Sequence, residues 1–154
     1  MGYIDSAKGE EKPEGCIFCD LPAANDDEAT GILRRGDRSF VVLNAYPYNP
    51  GHLMVAPLRH VGDLEKLDGD ELLELGRLLQ EGVSALREEM EPQGYNLGMN
   101  LGRVAGAGIA DHVHWHVVPR WNGDTNFMPV IGQTRVLPEL VAETYRKLAP
   151  RFRS

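Results

Sequence analysis

A chain of 154 residues, 42% of them hydrophobic, has enough apolar mass for one domain with a real core and too little length for two. Its formal charge of −7 argues against a nucleic-acid or anionic-membrane surface, since both need clustered Lys and Arg, yet leaves room for a pocket with a few local donors to a small phosphate. No apolar run approaches the roughly 20 residues of a membrane span.

Residues 1–14, rich in Gly, Lys, Glu and Pro, lack the apolar centre of a secretory signal. They are expected as a flexible tail ahead of a single domain over 15–154, in a cytoplasmic protein. Cys16-Ile17-Phe18-Cys19 holds the two thiols of the chain. In a reducing compartment this spacing reads first as half a metal site, with a redox pair or two buried thiols as the alternatives. Half a site needs two more ligands.

Residues 21–28 are acidic and turn-rich and read as a connecting loop. Two strands are predicted next, Thr30 to Arg34 and Ser39 to Asn44, around a hairpin-like break, the second apolar enough for burial on both faces. The loop from Tyr46 to Gly51 leads into a third strand, His52 to Pro57. From Asp68 or Asp70 to Met90 the period changes to three or four, with Leu72, Leu75, Leu79, Val83, Leu86 and Met90 forming the apolar stripe of an amphipathic helix. A strand over Gly94 to Leu101 follows, then a loop of small residues from Gly102 to Ala110 that lets backbone N–H groups close on a phosphate.

The most informative stretch is Asp111 to Trp121, in which His112, His114 and His116 alternate with Val113 and Trp115. That is the period of a β-strand, so three imidazoles share one face. An imidazole titrates near neutrality and serves as metal ligand, nucleophile or acid, and neighbouring neutral rings can fix one another's tautomers. A polar loop from Arg120 to Met128 carries Trp121 and Phe127, and a last helix is predicted from Pro138 to Leu148. The order of elements suits an α+β domain, an antiparallel sheet of about five strands covered by one long helix, with the second helix at the C-terminus.

The run HVHWHVVPR, with Cys16-Ile-Phe-Cys19, Asn44, Pro50-Gly51-His52 and Pro57-Leu58-Arg59-His60 upstream in order, resembles the histidine triad family of nucleotide hydrolases and transferases. The likeness covers about positions 14 to 121. It implies that family's fold and two-fold dimer, an adenine nucleotide substrate, and structural zinc on Cys16, Cys19, His60 and His112. His114 is then the nucleophile and His116 orients and polarises the site. Asn44 and Asn100 are implied to hold ribose, Gly106 and Gly108 to lie at the phosphates, and His52 to stand beside them.

The run Trp121 to Met128 is similar to one branch of that family, the short bacterial diadenosine tetraphosphate phosphorylases. This likeness gives Trp121 the purine and makes inorganic phosphate the acceptor. Many hydrolases of the family have Gln-Ser or Gln-Thr where this chain has Gly108-Ile109, which removes side-chain help to the leaving group and favours the same branch. Two rivals stand beside this reading. A catalytic zinc hydrolase needs an open metal position, which two Cys and two His do not leave. A nucleotide-binding module without turnover has no use for His114.

Overall fold

In the computed structural model, residues 15–108 and 111–124 are described, together with 142, 145, 146 and 149–151. The expected tail over 1–14, Ile109 and Ala110, and Phe127 and Met128 lie outside the described residues. So does most of the expected C-terminal helix, of which Ala142, Tyr145 and Arg146 are described and helical.

Five strands, β1 (Ile32–Arg35), β2 (Ser39–Leu43), β3 (Leu53–Pro57), β4 (Gly94–Gly98) and β5 (Trp115–Arg120), form one sheet in the order β1-β2-β3-β5-β4. Every neighbouring pair is antiparallel. The long helix α3 (Gly69–Met90) lies over one face, where Leu75, Leu78 and Leu86 meet Val41, Leu53, Val55 and Val117. The other face carries Phe40, Val42, Met54 and Ala56, and the short helix α1 (Ile17–Ala23) brings Phe18 and Cys19 onto it. Because successive side chains of a strand point to opposite faces, each inner strand contributes to two apolar clusters and reads as a continuous buried run. Ser39 to Val42 are buried as that rule requires, whereas Leu43, at the end of β2, is 43% exposed.

The element boundaries differ from the sequence reading at places where side chains override the local pattern. Residues 21–28 are not simply loop: α1 runs to Ala23, and a one-turn helix α2 (Asp27–Thr30) follows. α1 has too few turns to show a period, and it is held by the burial of Phe18 and Cys19 rather than by an amphipathic stripe. α2 is capped by the Asp26 carboxylate, which accepts from the Ala29 N–H, and Thr30 therefore ends a helix instead of starting β1. The third strand begins at Leu53, one residue after His52, and β4 ends at Gly98, short of Leu101. The small-residue loop is partly ordered by a 3₁₀ turn at Arg103–Ala105.

Helix α3 starts with a reciprocal cap. The Asp68 carboxylate accepts from the Glu71 N–H at 2.8 Å, and the Glu71 carboxylate accepts from the Asp68 N–H at 2.9 Å. Glu71, only 5% exposed, thus takes the inward position of the first turn, and Leu72, expected on the core stripe, is 48% exposed. Leu78 and Gly82 are buried instead. A Cβ on Gly82 would lie 3.3 Å from Leu53, so the helix approaches the sheet closely there.

The Glu71 carboxylate also accepts from Arg59 Nε at 3.0 Å and Nη2 at 2.8 Å, and Arg59 Nη2 is 2.9 Å from the Lys66 carbonyl. This clamps the segment that carries His60 onto the start of α3. Glu71→Ala is expected to destabilise the fold by about 2–3 kcal/mol, through the lost cap and the loss of the carboxylate that Arg59 holds. Urea unfolding measures it.

The largest departure concerns the histidine row. β5 begins at Trp115, so of the three histidines only His116 lies in the ladder. The cause lies in β3, whose pairing with β5 stops at Val55↔Trp115. Beyond it the chain bonds differently: the Pro57 carbonyl accepts from the His112 ring, and the Val113 N–H reaches the Val61 carbonyl at 2.8 Å. His116 pairs with Met54, which puts its side chain on the sheet face opposite α3.

Candidate active site and metal centre

Two clusters of side chains share the segment from His112 to His116. In the first, Cys16 Sγ lies 3.3 Å from His112 Nδ1, and Cys19 Sγ lies 3.6 Å from the same atom and 3.4 Å from His60 Nδ1. All four donor atoms are within 4.8 Å of one another. In a tetrahedral S₂N₂ zinc site, Zn–S near 2.3 Å and Zn–N near 2.1 Å give sulfur-to-nitrogen edges of about 3.6 Å, so the spacing fits one ion at the centre. The tautomer fits too. A carbonyl can only accept, so His112 Nε2–H donates to the Pro57 oxygen at 2.7 Å and its Nδ1 lone pair faces the cysteines.

Second comes the row itself. His114 Nδ1 lies 2.9 Å from the His112 carbonyl, which makes Nδ1 the protonated nitrogen and leaves a lone pair on Nε2. The ring is stacked on Phe18, with centroids 4.4 Å apart and planes 29° from parallel, and meets His116 edge-on at 5.0 Å. Burial holds the His114 imidazolium below its ordinary range. A neutral, fixed imidazole with one free lone pair is the form a nucleophile requires.

Behind His114 the tautomers are linked in series. The Tyr48 backbone N–H donates to His52 Nδ1 at 3.1 Å, so His52 carries its proton on Nε2 and donates to His116 Nδ1 at 2.9 Å. His116 is left with a proton on Nε2, able to donate. Burial and then the neighbouring His114 push His52 down to about 4, while burial, His114 and His52 push His116 down to about 3. Both rings are therefore neutral at pH 7, as the series of single-proton bonds demands.

Their folded values lie below the ordinary 6.5 or so, so the stability they contribute is fully present above about pH 6.5 and is lost as pH falls from there toward 4 and 3. Unfolding free energy measured by urea titration is expected to fall between pH 7 and pH 5. In His52→Gln the slope is expected to be shallower. Any proton uptake by the metal ligands acts on both proteins alike, so the difference between them reports His52 together with its effect on His116.

The sequence-derived nucleotide residues fall into two groups. Asn44 closes β2, where its Oδ1 accepts from the Tyr46 N–H at 2.8 Å and its Nδ2 lies 3.4 Å from His52 Nε2. His52 is 1% exposed with both ring nitrogens in protein hydrogen bonds, so its immediate neighbour is His116. Asn100, Gly106 and Gly108 lie on the connection from β4 into the row, and Trp121 is half-buried on the turn that leaves it. A Cβ at Gly108 would meet nothing within 4 Å, and Gly106 has φ +98°, so this part of the loop is both open and glycine-dependent.

Three participants are absent from the sequence reading: Phe18, the Tyr48 main chain and Asn49. Phe18 is hidden inside the Cys-x-x-Cys segment, where nothing distinguishes a ring that stacks on histidine from an ordinary core residue. Tyr48 acts through a backbone N–H that any residue supplies.

The HIT domain profile matches residues 27–123 of this chain. The "AP-4-A phosphorylase" of Mycobacterium tuberculosis is 42% identical over 154 residues, covering 97% of this chain and 78% of that protein. Among solved structures, a zinc-bound histidine triad family protein from Mycobacterium smegmatis is 28% identical, with a TM-score of 0.62 over 71% of this chain and 78% of the other. A HIT family protein from Bacillus anthracis shares the fold at a TM-score of 0.71 and 22% identity, covering 91% and 96% of the two chains. The profile begins after Cys16 and Cys19 and takes in all the histidines, whereas the 42% identity extends over 97% of the chain, and both lead to the same assignment: the chain belongs to the histidine triad (HIT) family.

Proposed function

We propose that the protein is a nucleotidyl transferase that cleaves diadenosine tetraphosphate through a covalent intermediate on His114, with inorganic phosphate as the acceptor. The single observation that carries the chemistry is the His114 Nδ1–H bond to the His112 carbonyl, which leaves a lone pair on Nε2. That nitrogen attacks the phosphorus next to one adenosine. A P–N bond forms, the P–O bond to the remaining chain breaks, and ATP leaves with the electron pair. A phosphate oxygen then attacks the same phosphorus, the P–N bond breaks, and ADP and a neutral His114 result. His116, protonated on Nε2 by the tautomer chain, is the donor placed to assist the charge that builds on the phosphoryl oxygens.

Support for phosphate over water comes from the 42% identical relative that bears the phosphorylase name and from the open Gly106 to Gly108 loop, whose backbone N–H groups suit an anion. Asn44 and Asn100 are proposed at the ribose, and Trp121 at the purine. Water far outnumbers phosphate, so the pocket has to misalign it. Product analysis tests the reading. ADP and ATP formed in proportion to added phosphate support it, whereas AMP and ATP at a rate indifferent to phosphate make the enzyme a hydrolase.

Zinc is proposed on Cys16, Cys19, His60 and His112, where it would cross-link α1, the segment after β3 and the histidine row as a closed structural site. A homodimer is proposed through β4, an edge strand whose Leu97 is 41% exposed beside a largely apolar groove with Leu79 and Val83. Sedimentation velocity at micromolar concentration is expected to give the mass of two chains. Among the described residues no helix is long and apolar enough to cross a membrane, and two thiols at a metal site suit the reducing cytoplasm proposed for the protein.

A further inference from the structure

The loop between β2 and β3 carries the two donors on which the histidine series depends, the Tyr48 N–H and the His52 ring. A loop of this kind holds an N–H on an imidazole only if it is itself held. At one end Gly51, with φ +88°, is packed so tightly on α3 that a Cβ there would lie 2.8 Å from Met90 Sδ and 3.0 Å from Leu86 Cδ2. Two residues earlier the anchor is Asn49. Its Nδ2 donates to the Pro119 carbonyl at 2.9 Å and to Asp124 Oδ2 at 2.8 Å, and its own carbonyl accepts from the His52 N–H at 3.1 Å.

Asp124 is fixed in turn. It takes Arg120 Nε at 2.8 Å and Arg120 Nη2 at 2.5 Å, and the Trp121 N–H at 2.9 Å, while Arg120 Nη1 donates to Asn96 Oδ1 on β4 at 2.6 Å. The Arg120 guanidinium, first among several donors, holds the Asp124 carboxyl below the usual carboxylate range. The two hydrogens of the Asn49 amide and Asp124 Oδ2 thus join the Tyr48 loop to the end of β5, while Asp124 Oδ1 holds Arg120. Four residues earlier on that strand lies His116, against which the Tyr48 ring also packs at 6.0 Å, 23° from parallel.

We propose that Asn49, locked by Asp124 and Arg120, is a positioning residue that sets the tautomers of His52 and His116. Both its amide hydrogens fix the loop from outside, so that the Tyr48 N–H stays on His52 Nδ1 and the proton of each ring stays on Nε2. An Asn suits this place because one planar amide donates two bonds in fixed directions, to a carbonyl and to a carboxylate, without adding charge. The consequence for turnover rests on the nucleotidyl-transfer reading above; the consequence for the tautomers does not.

The test is Asn49→Ala, followed by long-range ¹H–¹⁵N correlation spectra of the imidazoles at pH 7.5 and by kcat, KM and AMP affinity. In the unaltered protein His52 and His116 are expected in the Nε2–H form. In the variant both are expected as tautomer mixtures, with kcat for diadenosine tetraphosphate lowered about tenfold and AMP affinity changed less than about twofold. Retention of the single tautomers overturns the proposal, even if kcat falls, because the effect would then bypass the histidine pair. If Asn49→Ala does not fold, Asp124→Asn keeps the shape and removes the carboxylate that locks Asn49, and unaltered tautomers in that variant overturn the proposal equally. If the unaltered protein shows the tautomers but no turnover, the nucleotidyl-transfer reading fails and the positioning role stands on the spectra.

Discussion

His114→Ala is expected to lower turnover of diadenosine tetraphosphate by roughly 10⁴-fold or more, with AMP affinity changed by less than about threefold. The size follows from the number of jobs the ring performs. In the proposed mechanism its Nε2 forms the P–N bond, and no neighbouring ring is free to replace it: His112 directs its Nδ1 to the cysteines, and His116 Nδ1 is occupied by His52. The affinity stays because a nucleophile contributes to the transition state and little to the bound ground state. His114→Asn keeps a donor to the His112 carbonyl and is expected to be equally inactive. Steady-state rates and calorimetric AMP binding on the same preparations separate the two quantities.

Removing the proposed zinc, by Cys16→Ser or by a strong chelator, is expected to destabilise the protein by about 3 kcal/mol or more, lowering Tm by about 10 °C for a domain of this size. Three segments far apart in sequence converge on the site, the start of α1, the turn after β3 and the entry to β5, and the described contacts between the cysteines and histidines are the ones an ion would close. Activity should fall as well, for a specific reason. His112 is a proposed ligand by its ring, and by its carbonyl it fixes the tautomer of His114. Thermal unfolding followed with and without chelator, and metal analysis giving about one zinc per chain, check the expectation.

The fold was legible where one pattern ran long enough to be counted. Helix α3 and the five strands follow from period and breakers, and the order of elements carries the α+β class. What escaped were features decided by single contacts. Glu71 displaced Leu72 from the inward side of α3 because a capping carboxylate with an arginine partner is worth burying there. His112 and His114 lie outside the ladder, which starts at Trp115, because β3 ends in Pro57, which has no N–H and offers its carbonyl to His112 instead. Alternation showed that the rings share a side. It could not show that their nitrogens divide into a metal-facing Nδ1, a bare Nε2 and a proton-carrying Nε2, since that depends on Pro57, the His112 carbonyl and the Tyr48 N–H. The cysteine pair announced a site, and the resemblance supplied His60 and His112. Asn49 sat in a stretch readable only as a loop, because its partners lie 70 and 75 residues away.

The central claim is a covalent nucleotidyl-histidine on His114. Its most direct measurement is to mix the enzyme with diadenosine tetraphosphate in the absence of phosphate, quench within one turnover under conditions that preserve P–N bonds, and locate the adduct by peptide mass spectrometry. The account predicts one AMP group attached to the peptide containing residues 112–116, with fragmentation placing it on His114, and release of that group as ADP when phosphate is added before the quench. An adduct on His116, on His52 or on any other residue, or full turnover with inversion at phosphorus and no adduct at any time point, would contradict it.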